Sequence, residues 1–153
     1  MVFFIVTQIY SVSFWLRQSI APITDVLEHD FRTNATQIGL LGSFVFLGYF
    51  IAQIPAGLTL QYFSSEFVTL VSTILVGFST FLFYISVNIH TAYVANFFIG
   101  MFTAPSALSL LAISEHRFGL QNVAKYFGLA KFYCYIFVLG LSTLQAHIYQ
   151  EYF

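Results

Sequence analysis

Charge is what this sequence has least of. Of its 153 residues, five are Lys or Arg and six are Asp or Glu, 7% in all. A soluble domain usually carries about a quarter. The chain therefore cannot cover its surface with charge, and water is not its expected solvent. A net charge of −1 leaves no basic footprint for nucleic acid. The single cysteine, Cys134, excludes an internal disulfide and cannot build a thiolate metal site alone. It reads as a small apolar packing residue. His29, His90, His116 and His147 are scattered, with no H-E-x-x-H, no G-x-S-x-G and no glycine-rich phosphate loop. No enzyme pattern is present, and no cofactor or metal is expected. Asp25, Glu28 and Asp30 cluster beside Arg32, and read as a solvated or helix-capping group rather than an acid/base pair.

What fills the sequence instead is apolar. Hydrophobic residues make up 59%, with 20 Phe and 10 Tyr, and mean hydropathy is +0.84. A helix crosses a ~30 Å hydrocarbon core with about 20 apolar residues. Five stretches qualify: Val2–Ala21, Gln37–Leu60, Phe67–Val87, Thr91–Ile113 and Val123–Tyr149. The alternating polarity of barrel strands is missing from runs such as Val68–Phe83, so helices are expected. The prediction is an all-α, polytopic bundle forming a single transmembrane domain over 1–153. The apolar start has no basic n-region and no small-residue cleavage site, so it reads as the first span rather than a signal peptide. The connections Pro22–Thr36, Gln61–Glu66, Asn88–His90 and Ser114–Asn122 are too short to hold a soluble domain.

Basic residues near the helix ends favour an inner, cytoplasmic N-terminus: Arg117, Lys125 and Lys131 would lie inside and Arg32 outside. Asn34-Ala35-Thr36 is a glycosylation-type sequon, close enough to the second helix to be unused. Gly48, Ala52 and Ala56 recur every four residues on the second helix, and Gly100 and Ala104 on the fourth. Small residues at that spacing let helices approach closely in lipid. Pro55 and Pro105 are expected to bend their helices.

Arg17 is the sharpest single feature. A guanidinium inside a span costs roughly 3 kcal/mol by insertion scales, and its rigid fork suits a carboxylate or phosphate. Two readings are open: an anion-binding residue for a solute, or a side chain that snorkels to the outer interface. Lys131 either snorkels inward, the favoured reading, or points into the same cavity as Arg17. Tyr49 and Gln53, four apart and on one face, and Asn96 are polar groups deep in the second and fourth helices. They line a solute path or hydrogen-bond a neighbouring helix. Glu115, His116 and Arg117 read as a solvated loop.

Arg17–Phe31, R-Q-S-I-A-P-I-T-D-V-L-E-H-D-F, resembles the first helix and outer loop of the major facilitator superfamily, matching at Arg17, Ala21, Pro22, Leu27, Asp30 and Phe31. Thr36–Gly57, T-Q-I-G-L-L-G-S-F-V-F-L-G-Y-F-I-A-Q-I-P-A-G, is similar to the family's second helix at Gly39, Ser43, Tyr49, Gln53, Pro55 and Gly57. Gly57 then stands where the family's inner-loop signature opens, G-x-L-x-D-R-x-G-x-R. Here Gln61 replaces the Asp, Tyr62 the Arg, Ser64 the Gly, and Glu66 a basic residue. In the family this loop helps hold the inner gate, so Gly57, Gln61 and Glu66 are its candidate counterparts. The segment Ala95–Ala107 looks like the family's R-x-x-x-G run, with Asn96 in place of Arg and Gly100 retained. The fifth helix lacks the family's G-P-x-x-G antiporter signature.

The resemblance implies secondary active transport of a small organic solute, by symport rather than drug/proton exchange. It covers about five of a full member's twelve helices, so a partial or half-transporter is expected. Its partners would be the lipid bilayer, a small-molecule solute, and a second half-transporter chain or another copy of itself. Arg17 would bind an anionic group, with Tyr49, Gln53 and Asn96 as lesser candidates. The alternative is a non-transporting remnant, or a helix-packing regulator of another membrane protein, which the altered inner-loop signature favours.

Overall fold

The computed structural model describes residues 2–152, with side chains through Tyr149. Met1 and Phe153, part of the expected single domain, lie outside the described residues. Six α-helices and a 3-10 turn account for nearly all of the described residues: α1 Val2–Gln18, the turn Ala21–Ile23, α2 Thr24–Phe31, α3 Ala35–Tyr62, α4 Ser65–Tyr84, α5 Ile89–Phe118 and α6 Val123–Tyr152. The described residues hold no strand. Helices α3, α4, α5 and α6 are each long and apolar enough to cross a membrane.

The expected first span, Val2–Ala21, is corrected. Helix α1 ends at Gln18 after 17 residues, about 25 Å at 1.5 Å per residue. Pro22 disfavours helical geometry in the residue before it, and the Ser19 hydroxyl donates back to the Leu16 carbonyl at 2.8 Å as the helix ends. Helix α1 stands where the first of the five expected spans was placed, and its 17 residues are at the short end of the length that crosses a bilayer. The connection Pro22–Thr36 is not all loop. It folds as α2, which Arg32 ends in the left-handed region at φ 50.

Boundaries elsewhere shift for local reasons. Helix α3 starts two residues early because Asn34 caps it. The Asn34 side-chain oxygen accepts from the Gln37 N–H at 3.0 Å, and the Gln37 side chain accepts in return from the Asn34 N–H at 3.3 Å. This reciprocal box satisfies two donors that the first helical turn would leave orphaned. Helix α5 runs past Ile113, so Glu115, His116 and Arg117 are exposed residues of its last turns and not of a loop. Gly119, at φ 75, stops it. Both α3 and α5 continue through their prolines, Pro55 and Pro105.

Helix α5 is the hub. It packs against α3, α4, α1 and α6. The tightest pairing is with α3, and the two run in the same direction. The Tyr93 hydroxyl donates to the Gln37 carbonyl at 3.0 Å, and the Asn96 amide donates to the Leu41 carbonyl at 2.7 Å. At Gly100 a Cβ would collide with the Val45 carbonyl and stand 3.0 Å from the Tyr49 nitrogen. At Gly48 it would collide with the Phe97 carbonyl and stand 3.0 Å from the Met101 nitrogen. Ala52, Ala56 and Ala104 complete the buried seam. Lipid offers no hydrophobic drive between helices, so this backbone approach supplies the van der Waals contact that holds them. Helices α1 and α6 also run in the same direction, joined by Gln8 to the Tyr133 hydroxyl at 2.8 Å and Gln145 to the Ser19 carbonyl at 3.1 Å. Val6, Tyr10, Leu110, Ile113, Ala130, Cys134 and Val138 form the apolar cluster between α1, α5 and α6. At the end bearing α2, Ile20, Leu27, Ile38, Leu41, Ile89 and Ala92 form a second.

Gly100→Ala is expected to lower the unfolding temperature in detergent by several degrees, an overpacking cost of about 1–3 kcal/mol. Gly77→Ala on α4, where an added Cβ meets nothing within 4 Å, is expected to hold or raise it, with up to about 1 kcal/mol of helix propensity gained. Equal losses at the two sites would mean that the α3–α5 approach does not govern stability.

Candidate functional site

Polar side chains inside the bundle fall into two groups. Most serine and threonine hydroxyls close on their own helix. Ser11 donates to the Thr7 carbonyl at 2.9 Å, Thr69 to Ser65 at 2.7 Å, Ser79 to Leu75 at 2.8 Å and Ser114 to Leu110 at 2.7 Å. Such groups are satisfied without a partner helix and offer little to a ligand. The second group has buried atoms without a hydrogen-bond partner among the described residues, Trp15, Arg17, Ser109 and Gln145 among them.

Arg17 is 7% exposed. Its Nε and Nη2 are buried without a hydrogen-bond partner among the described residues. No carboxylate there lies within ion-pair distance of it. Its guanidinium instead lies 4.2 Å from the centre of the Tyr49 ring and 5.2 Å from that of Phe14. Tyr49 is at the midpoint of the 28-residue α3, so the charge sits deep in the bundle, not at an interface where snorkelling would place it. A desolvated contact of this kind with a ring returns about 2 kcal/mol. Removing a charge from water costs several kcal/mol even after relaxation. The rings therefore offset part of the cost and leave the directional donors unused.

Lys131 departs from the snorkelling reading as well. Its half-buried ammonium is turned into the seam between α1 and α6, 5.2 Å from the Phe127 ring centre and 5.5 Å from that of Tyr10. Tyr10 itself is deeply buried. Tyr10 and Phe14 lie 6.2 Å apart, centre to centre, and Phe14 meets Tyr135 edge-on at 5.3 Å. Aromatic rings thus run from one cation to the other. Cys134 is sealed in the apolar cluster between α1, α5 and α6.

Of the residues expected to line a solute path, the structure joins Arg17 and Tyr49. Gln53 is half-buried one turn beyond Tyr49, with no hydrogen bond among the described residues. Asn96 lies elsewhere. It is buried in the α3–α5 seam, where its amide donates to the Leu41 carbonyl. The inner-loop candidates are also apart from Arg17. Gly57 and Gln61 are still within α3, and Glu66 is in the first turn of α4, so only Phe63 and Ser64 link the two helices. The Ser64 side chain caps α4 by accepting from the Phe67 N–H at 3.4 Å. Glu66 shares a cleft of about 350 Å³ with His116 and Arg117. A second cleft, of about 490 Å³, lies between α2 and the end of α6, lined by Pro22, Asp25, His29, Asp30 and Tyr149 among others. Arg17 lines neither cleft.

The sequence reading missed Phe14, Tyr10 and Phe127 as ring partners of the two cations. The signal was present: Phe14 precedes Arg17 by three residues and Phe127 precedes Lys131 by four, the spacings that put side chains on one helix face.

Asn96→Val is expected to lower the unfolding temperature, for the loss of about 1 kcal/mol from one interhelical hydrogen bond, and to leave solute affinity unchanged. A fall in affinity at unaltered stability would return Asn96 to the solute path.

Residues 4–146 match the family model described as Major Facilitator Superfamily. No curated protein and no solved structure matches the chain. The family match runs through all six helices, and the bundle has the apolar spans that a multi-pass membrane protein requires. With a buried cation at mid-bundle and no strand among its described residues, this chain belongs to the Major Facilitator Superfamily, a family of membrane transporters.

Proposed function

We propose that this chain forms one wall of a solute pathway for secondary active transport, and that Arg17 binds the anionic group of a small organic solute. The observation that carries the reading is the buried guanidinium whose Nε and Nη2 have no partner among the described residues. A carboxylate or phosphate accepts from two nitrogens of the fork at once. It would supply the counter-charge that the bundle withholds. Tyr49 forms the floor of that site, and Gln53, on the same face of α3, is the next polar group along it. The bond from Asn96 to Leu41 supports a packing role for that residue over a place on the solute path.

Alternating access needs two parts that rock about a site between them. The second part would be another half-transporter bundle facing this one in a lipid bilayer. The basic residues Arg117 and Lys125 argue for an inner N-terminus, and the absent antiporter signature argues against drug/proton exchange. One observation favours a second reading, a non-transporting partner of another membrane protein. The inner-loop positions carry Gln61, Tyr62 and Glu66 in place of the family's charge pattern. Co-purification with a second membrane protein, without solute uptake by the assembly, would support that alternative.

The test is a ligand-induced thermal shift of the chain in lipid nanodiscs. Carboxylates and organic phosphates are expected to raise the unfolding temperature, and neutral or cationic solutes are not. At 100 times its dissociation constant a ligand adds about 2.7 kcal/mol. Arg17→Met is expected to raise the basal unfolding temperature, since an uncompensated buried charge is removed, and to abolish the anion shift. Arg17→Lys is expected to recover little of that shift, because an ammonium cannot reproduce the fork. An anion shift that survives Arg17→Met would remove Arg17 from the pathway.

A further inference from the structure

The bundle holds a second interior cation that the anion reading does not use. Lys131 is the ninth residue of α6, and Tyr10, whose ring it faces, is the ninth of α1. The two helices run in the same direction, so the ammonium lies about 12 Å inside both helix starts. Arg17 follows Tyr10 by seven residues on α1, about 10 Å further along the axis. Between them lie the Tyr10 and Phe14 rings. Like Arg17, Lys131 has no carboxylate within ion-pair distance among the described residues, and no hydrogen bond there. Two long cationic side chains thus stand along one seam, both on aromatic faces and both without a counter-ion.

Like charges in a low-dielectric interior repel, and each bears its own desolvation cost. A single monoanion relieves one of them. A solute with an anionic group at each end relieves both, and its middle would lie along the aromatic edge. The rings now on the cations are held by weak, non-directional contacts, which carboxylate oxygens outcompete. Resting on the anion-binding role of Arg17, we infer that the site takes an elongated dianion, with Lys131 as the pole for its second anionic group.

The probes are adipate and monomethyl adipate, two chains of matching length that differ in one charge. Affinities are measured with the full chain in phosphatidylcholine nanodiscs. Wild type is expected to prefer adipate by tenfold or more. Lys131→Gln is expected to reduce that preference to about twofold, with the affinity for monomethyl adipate unchanged. Lys131→Arg is expected to keep the preference, and guards against a variant that merely folds poorly. Arg17→Gln is expected to weaken both ligands together. A preference that persists in Lys131→Gln overturns the second pole while leaving Arg17 in place. Binding of neither probe to wild type, or binding insensitive to Arg17→Gln, overturns the anion reading itself and the dianion with it. If the pole takes a lipid phosphate, the adipate preference disappears in nanodiscs containing phosphatidylglycerol, and the solute assignment falls.

Discussion

The close approach of α3 and α5 sets the rest of the bundle. Gly48 faces the Phe97 carbonyl and Gly100 faces the Val45 carbonyl, each across a gap too narrow for a methyl group. The backbone of Tyr49 lies against Gly100 in the same contact. That contact fixes the height and direction of Tyr49, and so the position of the ring over Arg17. A looser pairing would let the ring slide off the guanidinium. The packing of one helix pair and the placement of a charge on a third element are therefore one problem, solved by two missing side chains.

Much of this was legible in the sequence because lipid simplifies the rules. Long charge-free runs have few structures open to them, and the Gly48–Ala52–Ala56 spacing marks a seam wherever such helices meet. The buried seam follows that spacing residue for residue. Arg17 stood out because a charge inside a span is costly enough to need a reason. What was not legible involves competition at short range. The start of α3 depended on whether Asn34 and Gln37 would trade hydrogen bonds, and α2 on whether a short polar stretch would gain enough from packing Leu27 against Ile38 and Leu41. Asn96 shows the limit most plainly. A polar side chain in an apolar helix must find a partner, but sequence alone does not say whether that partner is a solute or the carbonyl of a neighbouring helix.

The two cations are held differently, and the difference follows from their chemistry. Arg17 lays a flat guanidinium on Tyr49 and so spreads its charge over a ring while its nitrogens remain undirected. Lys131 carries a compact charge on a flexible stem and is only half-buried. The first is fixed and the second is adjustable. The carboxylates among the described side chains do not offset either one: Asp25, Glu28 and Asp30 are on α2, Glu66 opens α4 and Glu115 is near the end of α5. Among the described residues no carboxylate pairs with either cation.

Cys134 has a practical consequence. It is the only thiol of the chain and it is sealed between α1 and α6 at 2% exposure. The outer surface is consequently blank to maleimides and other sulfhydryl reagents. A cysteine introduced at Leu120 or Val87, both widely exposed, would be the one that reacts. Spin labels and fluorophores could then be mapped onto opposite rims of the bundle without first deleting a native residue.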